Sequence, residues 1–278
     1  MSYYTVLGLT KEPFSTSPDP AFFFRSSPHM QALARLEIAI RLRRGLSLIL
    51  GDVGTGKTTL ARTVLSAFPQ EDGFVFHMIL DPCFESEYQF LCQLTRMFGI
   101  QSQCKSTLDC REGIEHHLFQ SGVLEGKTTV LIIDEGQKLS FDMLENLRML
   151  LNYETNEFKL LQVAIFAQME LLGRIARVTN FIDRVALKYS LNPLSEEETA
   201  DMIQFRLRSA GLPYGRSLFS SDAVSVIHRF TQGYPRQIAL LCHNALESLV
   251  IHEKAVVDAW LVEELVRHES RWLREAAA

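Results

Sequence analysis

Five short apolar runs mark the first two thirds of the chain: Leu46 to Leu50, Phe74 to Leu80, Thr129 to Ile133, Leu160 to Ala167 and Ala186 to Leu191. Each is short for a helix, and the first is flanked by Gly45 and Gly51, as suits a strand buried on both faces. Between them apolar residues recur at three- and four-residue spacing, which predicts helices from Ser27 to about Arg43, Thr58 to Phe68, Ser86 to Phe98, Leu108 to Gln120 and Ser140 to Leu151. Ser27 and Pro28 read as a helix start, Met30, Leu33, Leu36, Ala39 and Ile40 as the apolar face behind it, and Pro69 and Gly99 as stops. Strands alternating with helices predict an α/β fold: a parallel sheet with helices on both faces.

After Asn192 and Pro193 the strand signal ends. Ser195 with Glu198 three residues on forms a capping box, opening a helix that should reach Ala210 before Gly211. Further helices are expected at Ser221 to Thr231, Pro235 to His252 and about Val256 to Arg271. The expected division is therefore an α/β domain over 1–194, with an N-terminal strap at 1–26, and a smaller all-α lid domain over 195–278.

Length and composition narrow the classes. With 278 residues, 47% hydrophobic and 22% charged, the chain has room for one large domain or two modest ones and a real core. The longest apolar stretches, such as Leu160 to Ala167 and Ile238 to Cys242, fall far short of the roughly 18 to 20 residues of a membrane span. Met1 to Leu9 lacks the basic and apolar regions of a secretory signal, so a cytoplasmic protein is expected, at most peripheral at the inner membrane. Five cysteines without a CxxC pair argue against a disulfide framework and a zinc site; reduced thiols, mostly in the core, are expected. A net charge of −5 confines any nucleic-acid contact to a local patch such as Arg41, Arg43 and Arg44, for which a solvated helix end is the simpler reading.

Gly51, Asp52, Val53, Gly54, Thr55, Gly56, Lys57 and Thr58 match G-x-x-x-x-G-K-[ST] residue for residue, between a buried strand and a predicted helix. Backbone amides and the positive helix end should converge there on phosphate oxygens, so Gly51 through Thr59 are the expected ATP-binding residues. Lys57 would reach the β- and γ-phosphates and the Thr58 hydroxyl would ligate Mg2+. A second Gly-Lys-Thr-Thr at Gly126 to Thr129 lacks the outer glycine, has Ser121 instead, and precedes a strand, so it reads as a loop into the sheet.

Val130 to Ile133 ends in Asp134 and Glu135, the expected acidic partner of a phosphate loop. Asp134 would hold Mg2+, and Glu135 would orient and activate the attacking water. Charge that builds during phosphoryl transfer calls for further polar groups. Gln168, just past a predicted strand, could sense the γ-phosphate and hold the water. Arg184, with Arg177 in reserve, could reach a neighbouring subunit's nucleotide. Arg236, after Gly233 and Pro235, could report the nucleotide to the helical part. Three features read as structural: His116 and His117 point about 100 degrees apart on a helix and make a poor metal pair, Phe22 to Phe24 pack as a strap, and Trp260 and Trp272 pin the last helix down.

The phosphate loop, the Leu131 to Glu135 strand with Gln137, Lys138 and Leu139, the Leu147 to Thr155 stretch with Asn152 and Glu154, Gln168, and Gly233 to Arg236 together resemble the AAA+ ATPases of the general secretion pathway protein A group. So does the opening run of Leu7, Gly8, Leu9, Pro13, Phe14, Ser17 to Pro20, Phe22 to Phe24 and His29, and the likeness covers about residues 4 to 268. An ATPase of MSHA-type pilus biogenesis and, more distantly, TnsC-like transposition ATPases are similar. The resemblance implies a P-loop NTPase of the AAA+ class in two parts, ATP-driven ring or filament assembly, arginine fingers across subunit boundaries and a secretion or pilus machine as partner. Thr179 stands where many relatives carry an arginine, leaving Arg184 as the best-matched finger, and Ala167 replaces the family glycine before Gln168. Members of the group commonly continue into a transmembrane helix and a peptidoglycan-binding domain; neither follows before Ala278, so direct periplasmic action is not expected. The alternative reading is an ATP-dependent, DNA-gripping regulator of the transposition type. A third, a nucleotide-gated scaffold without turnover, is opposed by Glu135.

Overall fold

The structure is a computed structural model that describes residues 2–15, 22–68, 73–101 and 104–276. Ser17 to Pro20, Pro69 and the side chain of Trp272 lie outside the described residues. The chain forms two compact units, one of Pro28–Val53 and Lys57–Leu191, the other of Met1–Ser27, Gly54–Gly56 and Asn192–Ala278.

In the first unit the described residues form a five-stranded, all-parallel sheet from β1 (Leu46–Gly51), β2 (Phe74–Ile79), β3 (Thr128–Ile133), β4 (Leu161–Ala167) and β5 (Val185–Leu191), in the order β2-β3-β4-β1-β5. All five predicted strands are present within a residue or so of their expected limits. β1, β3 and β4 are buried along their whole length, because helices cover both faces of a parallel sheet. β2 and β5 differ from the expectation: they are the edges, and β5 alternates between half-buried and exposed positions.

The unit's helices are α2 (Ser27–Arg41), α3 (Lys57–Ala67), α4 (Glu87–Met97), α5 (Thr107–Phe119), α6 (Phe141–Leu150) and α7 (Leu171–Ile175), with α1 (Tyr3–Val6) preceding them in the other unit. One sheet face packs Leu48, Leu131, Ile133, Val163 and Ile165 against Leu91, Leu94, Ile114 and Leu147 of α4, α5 and α6. The opposite face packs Ile49, Val130, Ile132, Ala164 and Phe166 against Leu36 and Ile40 of α2 and Leu60 and Val64 of α3. α2 stops at Arg41, two residues before the expected end, and Arg43 takes a left-handed φ of 49°. Its buried face is His29, Ala32, Leu36, Ala39 and Ile40, whereas Met30 is exposed. α5 runs on through a π-helical turn at Gln120–Leu124.

The second unit is helical: α8 (Glu196–Ser209), α9 (Ser221–Thr231), α10 (Pro235–Ile251) and α11 (Ala259–Ala276). Both halves of the predicted Ser195/Glu198 capping box are made, and Pro235 occupies the first turn of α10. Leu9, Phe14 and Phe22 are buried in this unit's core with Met202, Leu207, Phe219 and Leu246, so the N-terminal strap belongs here and not with the nucleotide domain as expected. Edge-to-face packing of Phe14 on Phe219 and the Tyr3 hydroxyl on His243 Nδ1 at 3.0 Å hold it in place. Trp260 is half exposed and lies under the Lys254 ammonium, so it does not pin α11 as expected. Cys110 and Cys242 are core residues, Cys92 and Cys104 are half-buried against the core and Cys83 is exposed, so the thiols are free and mostly core, as expected.

A titratable pair lies beside β2. The His77 ring packs on Phe98 at 4.8 Å between centroids, and Phe98 stacks on His117 at 5.7 Å. Burial lowers both imidazole pKa values below 6.5, and His117 lowers that of His77 further. His77 Nε2 is buried without a hydrogen-bond partner. Below 6.5 the unfolded chain therefore binds more protons than the folded one at these sites, and stability falls as pH drops through that value toward the depressed folded-state values. Urea unfolding should show a lower midpoint at about pH 5 than at about pH 7.5, and His77→Phe should shrink that difference. An identical difference in the variant would remove His77 from the account.

Candidate functional site

β1 ends at Gly51, and the chain turns through Asp52 to Gly56 into α3. Gly56 (φ 95°), the motif glycine before Lys57, and Gly54 (φ 85°), at one of its variable positions, take left-handed conformations that other residues adopt only at a cost. Thr55 between them is fully buried, while Asp52 and Val53 are exposed. Lys57 is only 7% exposed, and its ammonium donates to the carbonyl oxygens of Gly51 (2.7 Å) and Asp52 (2.8 Å). Burial lowers its pKa against the pull of Glu135, Asp134, Asp52 and Glu170. Thr58 and Thr59 are half-buried in the first turn of α3, where helix amides without carbonyl partners gather positive potential.

The acidic residues follow β3. Asp134 is 2% exposed; its N–H donates to Ile79 O (2.8 Å), and its Oδ1 accepts from the Glu135 N–H (3.0 Å). The Thr58 side chain is close enough to the same carboxylate to favour its charged form. Burial nevertheless raises the Asp134 pKa above its ordinary value, a penalty that a nearby cation would relieve. A hydroxyl and a carboxylate brought together in this way suit a hard dication such as Mg2+, which takes a few protein oxygens and completes its shell with water and phosphate.

Glu135 has a left-handed backbone (φ 51°, ψ 35°) and opens a 3-10 turn at Gly136–Lys138. That turn lies tightly on the end of β4: a Cβ on Gly136 would stand 2.4 Å from Ile165 Cγ2. The Gln137 amide donates from Nε2 to Glu135 Oε2 (2.6 Å) and accepts at Oε1 from the Gln168 N–H (3.1 Å). Lys138 pairs with Asp81 at 2.9 Å on the surface, and Arg174 Nη1 donates to Leu139 O at 2.9 Å, tying α7 to the same loop.

The other expected residues are distributed as follows. Gln168 is half-buried directly after β4. Arg184 ends a 3-10 turn, Ile182–Arg184, at the start of β5 and is half-buried; Arg177 and Thr179 are exposed. Arg236 is exposed in the first turn of α10, with its backbone N–H donating to Gly54 O at 3.3 Å. The helix end at Arg41 to Arg44 is largely engaged with its own chain: Arg41 pairs with Glu37 (3.0 Å) and covers Phe68, and Arg43 covers Phe158 and donates to Gly126 O (3.2 Å). Gly126 leads into β3, so the second Gly-Lys-Thr-Thr is the loop it was expected to be. Gly136, Gln137 and Arg174 were not singled out as site residues from the sequence. A glycine and an amide directly behind a pair of carboxylates were the signal available.

A model of the AAA domain family matches residues 40–175. Over 247 residues the chain is 35% identical to general secretion pathway protein A of Aeromonas hydrophila, an alignment that covers 88% of this chain and 44% of that protein. Residues 40–175 carry an AAA domain. The chain's likeness to general secretion pathway protein A is borne out, and it spans less than half the length of that curated relative. The AAA+ fold is also that of the Aeropyrum pernix ORC2 protein in its ADPNP-ADP complexes, with a TM-score of 0.66 at 17% identity over 92% of this chain and 71% of that one. Cdc6p from Pyrobaculum aerophilum gives 0.67 at 18% identity, over 88% and 67%. The RuvB Holliday junction branch migration motor of Thermotoga maritima gives 0.55 at 14%, over 88% and 72%. At such identities these likenesses concern the fold alone. Among the described residues no helix is long and apolar enough to cross a membrane.

Within the AAA domain the contact of Gly136 with β4 can be tested directly. Gly136→Ala should lower the unfolding free energy by about 1 to 3 kcal/mol, because the added methyl meets Ile165 in a packed sheet end. Combining it with Ile165→Val should recover part of the loss. Urea titrations that find the single variant as stable as the parent would contradict the close approach.

Proposed function

We propose that the chain hydrolyses Mg-ATP, and that the state of the bound nucleotide switches its self-association into a ring or filament and drives or regulates a partner machine. The observation that carries this reading is the glycine loop with its buried Lys57 ammonium beside the buried Asp134 carboxylate, which Thr58 and Lys57 both favour in its charged form, with Glu135 as the next residue. Gly51 to Thr59 supply the amides, the ammonium and the hydroxyls for a triphosphate. Thr58 and Asp134 are the residues to hold Mg2+, which when bound offsets charge on the β- and γ-phosphates.

In the proposed reaction Glu135 takes a proton from water as the water oxygen bonds to the γ-phosphorus and the bond to the ADP oxygen breaks. Lys57 offsets charge on the terminal phosphates, and Gln168 orients the water or reads the γ-phosphate. Arg184 acts as a finger toward a neighbouring subunit's nucleotide, and Arg236 reports the nucleotide to the helical unit. Secretion is the process that the relative's name supports, with pilus assembly as a related possibility. The DNA-gripping alternative is not favoured, since Arg41 and Arg43 are engaged with Glu37, Phe68, Phe158 and Gly126.

Phosphate release and calorimetry test this together. Glu135→Gln should reduce release by roughly 100-fold or more while Mg-ATP still binds. Release at the parent rate would remove the water-activating role. Mixing Lys57→Ala with Arg184→Ala protein should restore turnover in shared sites, and no restoration at any ratio would count against a finger acting in trans.

A further inference from the structure

Gln137 sits between two groups that the proposed chemistry needs, and its amide is used at both ends. The Nε2 donor meets Glu135 Oε2 at 2.6 Å, and the Oε1 acceptor receives the Gln168 N–H at 3.1 Å. We infer that Gln137 is the positioning residue of the Glu135 carboxylate, fastening it to the end of β4 beside Gln168. This rests on the reading of Glu135 as the group that activates water.

The physical argument runs through geometry and freedom of motion. A glutamate side chain turns about three bonds, and here it leaves a backbone already in the left-handed region. A charge-assisted hydrogen bond of 2.6 Å to one carboxylate oxygen fixes the rotation of the group. Only one orientation of the planar Gln137 amide satisfies both partners, because a donor must face the carboxylate and an acceptor must face the N–H. The anchor is rigid: Gln168 follows Ala167, the buried last residue of β4, and the intervening Gly136 lies directly on Ile165. β4 in turn lies between β3, which carries Asp134, and β1, which leads into the phosphate loop. A shift of the Gln168 peptide is therefore passed to the Glu135 carboxylate through a single amide, which links the residue placed to sense the γ-phosphate to the residue placed to activate water.

The chemistry of the amide sets the test. Gln137→Ala removes both bonds. Gln137→Glu keeps size and shape but turns a carboxylate toward a carboxylate, so it separates hydrogen-bond donation from packing. Both should lower kcat for ATP hydrolysis roughly 10- to 100-fold, with KM and the calorimetric Kd for Mg-ATP within about threefold of the parent. In single-turnover measurements on a Glu135→Gln background, Gln137→Ala should cause no further loss, since the carboxylate it positions is gone. A parent-like kcat in both Gln137 variants, or an equal loss in the two backgrounds, would overturn the inference. If the parent turns over, Glu135→Gln does not and Gln137→Ala does, only the positioning role fails. If Glu135→Gln turns over like the parent, the reading of Glu135 fails and takes this inference with it.

Discussion

The site depends on where β4 lies. In the order β2-β3-β4-β1-β5 the strand that ends in the acidic pair and the strand that ends in the glycine loop are not neighbours, and β4 stands between them. Parallel pairing keeps their ends level: Ile133 lies beside Ile165 and Leu50 beside Ala167. Because all the strands run the same way, the loops after β3, β4 and β1 emerge on one edge, which is where ligands bind in open α/β sheets. The Thr58 side chain then comes near the Asp134 carboxylate, and Gln137 can reach down to Gln168. Hydrophobic burial sets the register, and the register sets the chemistry.

Electrostatics oppose this assembly. Lys57 is buried with its ammonium on two carbonyl oxygens, and Asp134 is buried with a pKa pushed upward. Burying such charges is unfavourable unless each finds partners, and here the partners are partial: carbonyl dipoles for the cation, and one N–H with the nearby Thr58 side chain for the anion. A phosphate for Lys57 and a dication for Asp134 would satisfy both better than the chain does.

How much of this was legible depends on whether a residue's role is local. β1, β3 and β4 could be read from apolar runs because a strand covered on both faces has no polar alternation to obscure it. The glycine loop could be read because its φ values and helix start are properties of adjacent residues. Strand order could not, since Leu46 to Leu50 carries no mark of which strand will pair with it. The N-terminal strap was placed in the wrong unit for a similar reason: Leu9, Phe14 and Phe22 are generic apolar residues whose partners lie far along the chain. Met30 and Leu36 are equally apolar, yet six residues put them about 120 degrees apart around the helix, and one is exposed and the other buried. Gln137 and Gly136 acquire meaning only once β4 is beside them.

The central claim is that Thr58 and Asp134 together hold the metal that accompanies the nucleotide. The most direct measurement is the affinity for ATP by calorimetry with magnesium and with a chelator, in the parent and in Asp134→Asn. The account predicts that magnesium tightens ATP binding in the parent and that most of this gain disappears in Asp134→Asn, while metal-free binding is little changed. An equal gain from magnesium in both proteins would contradict it.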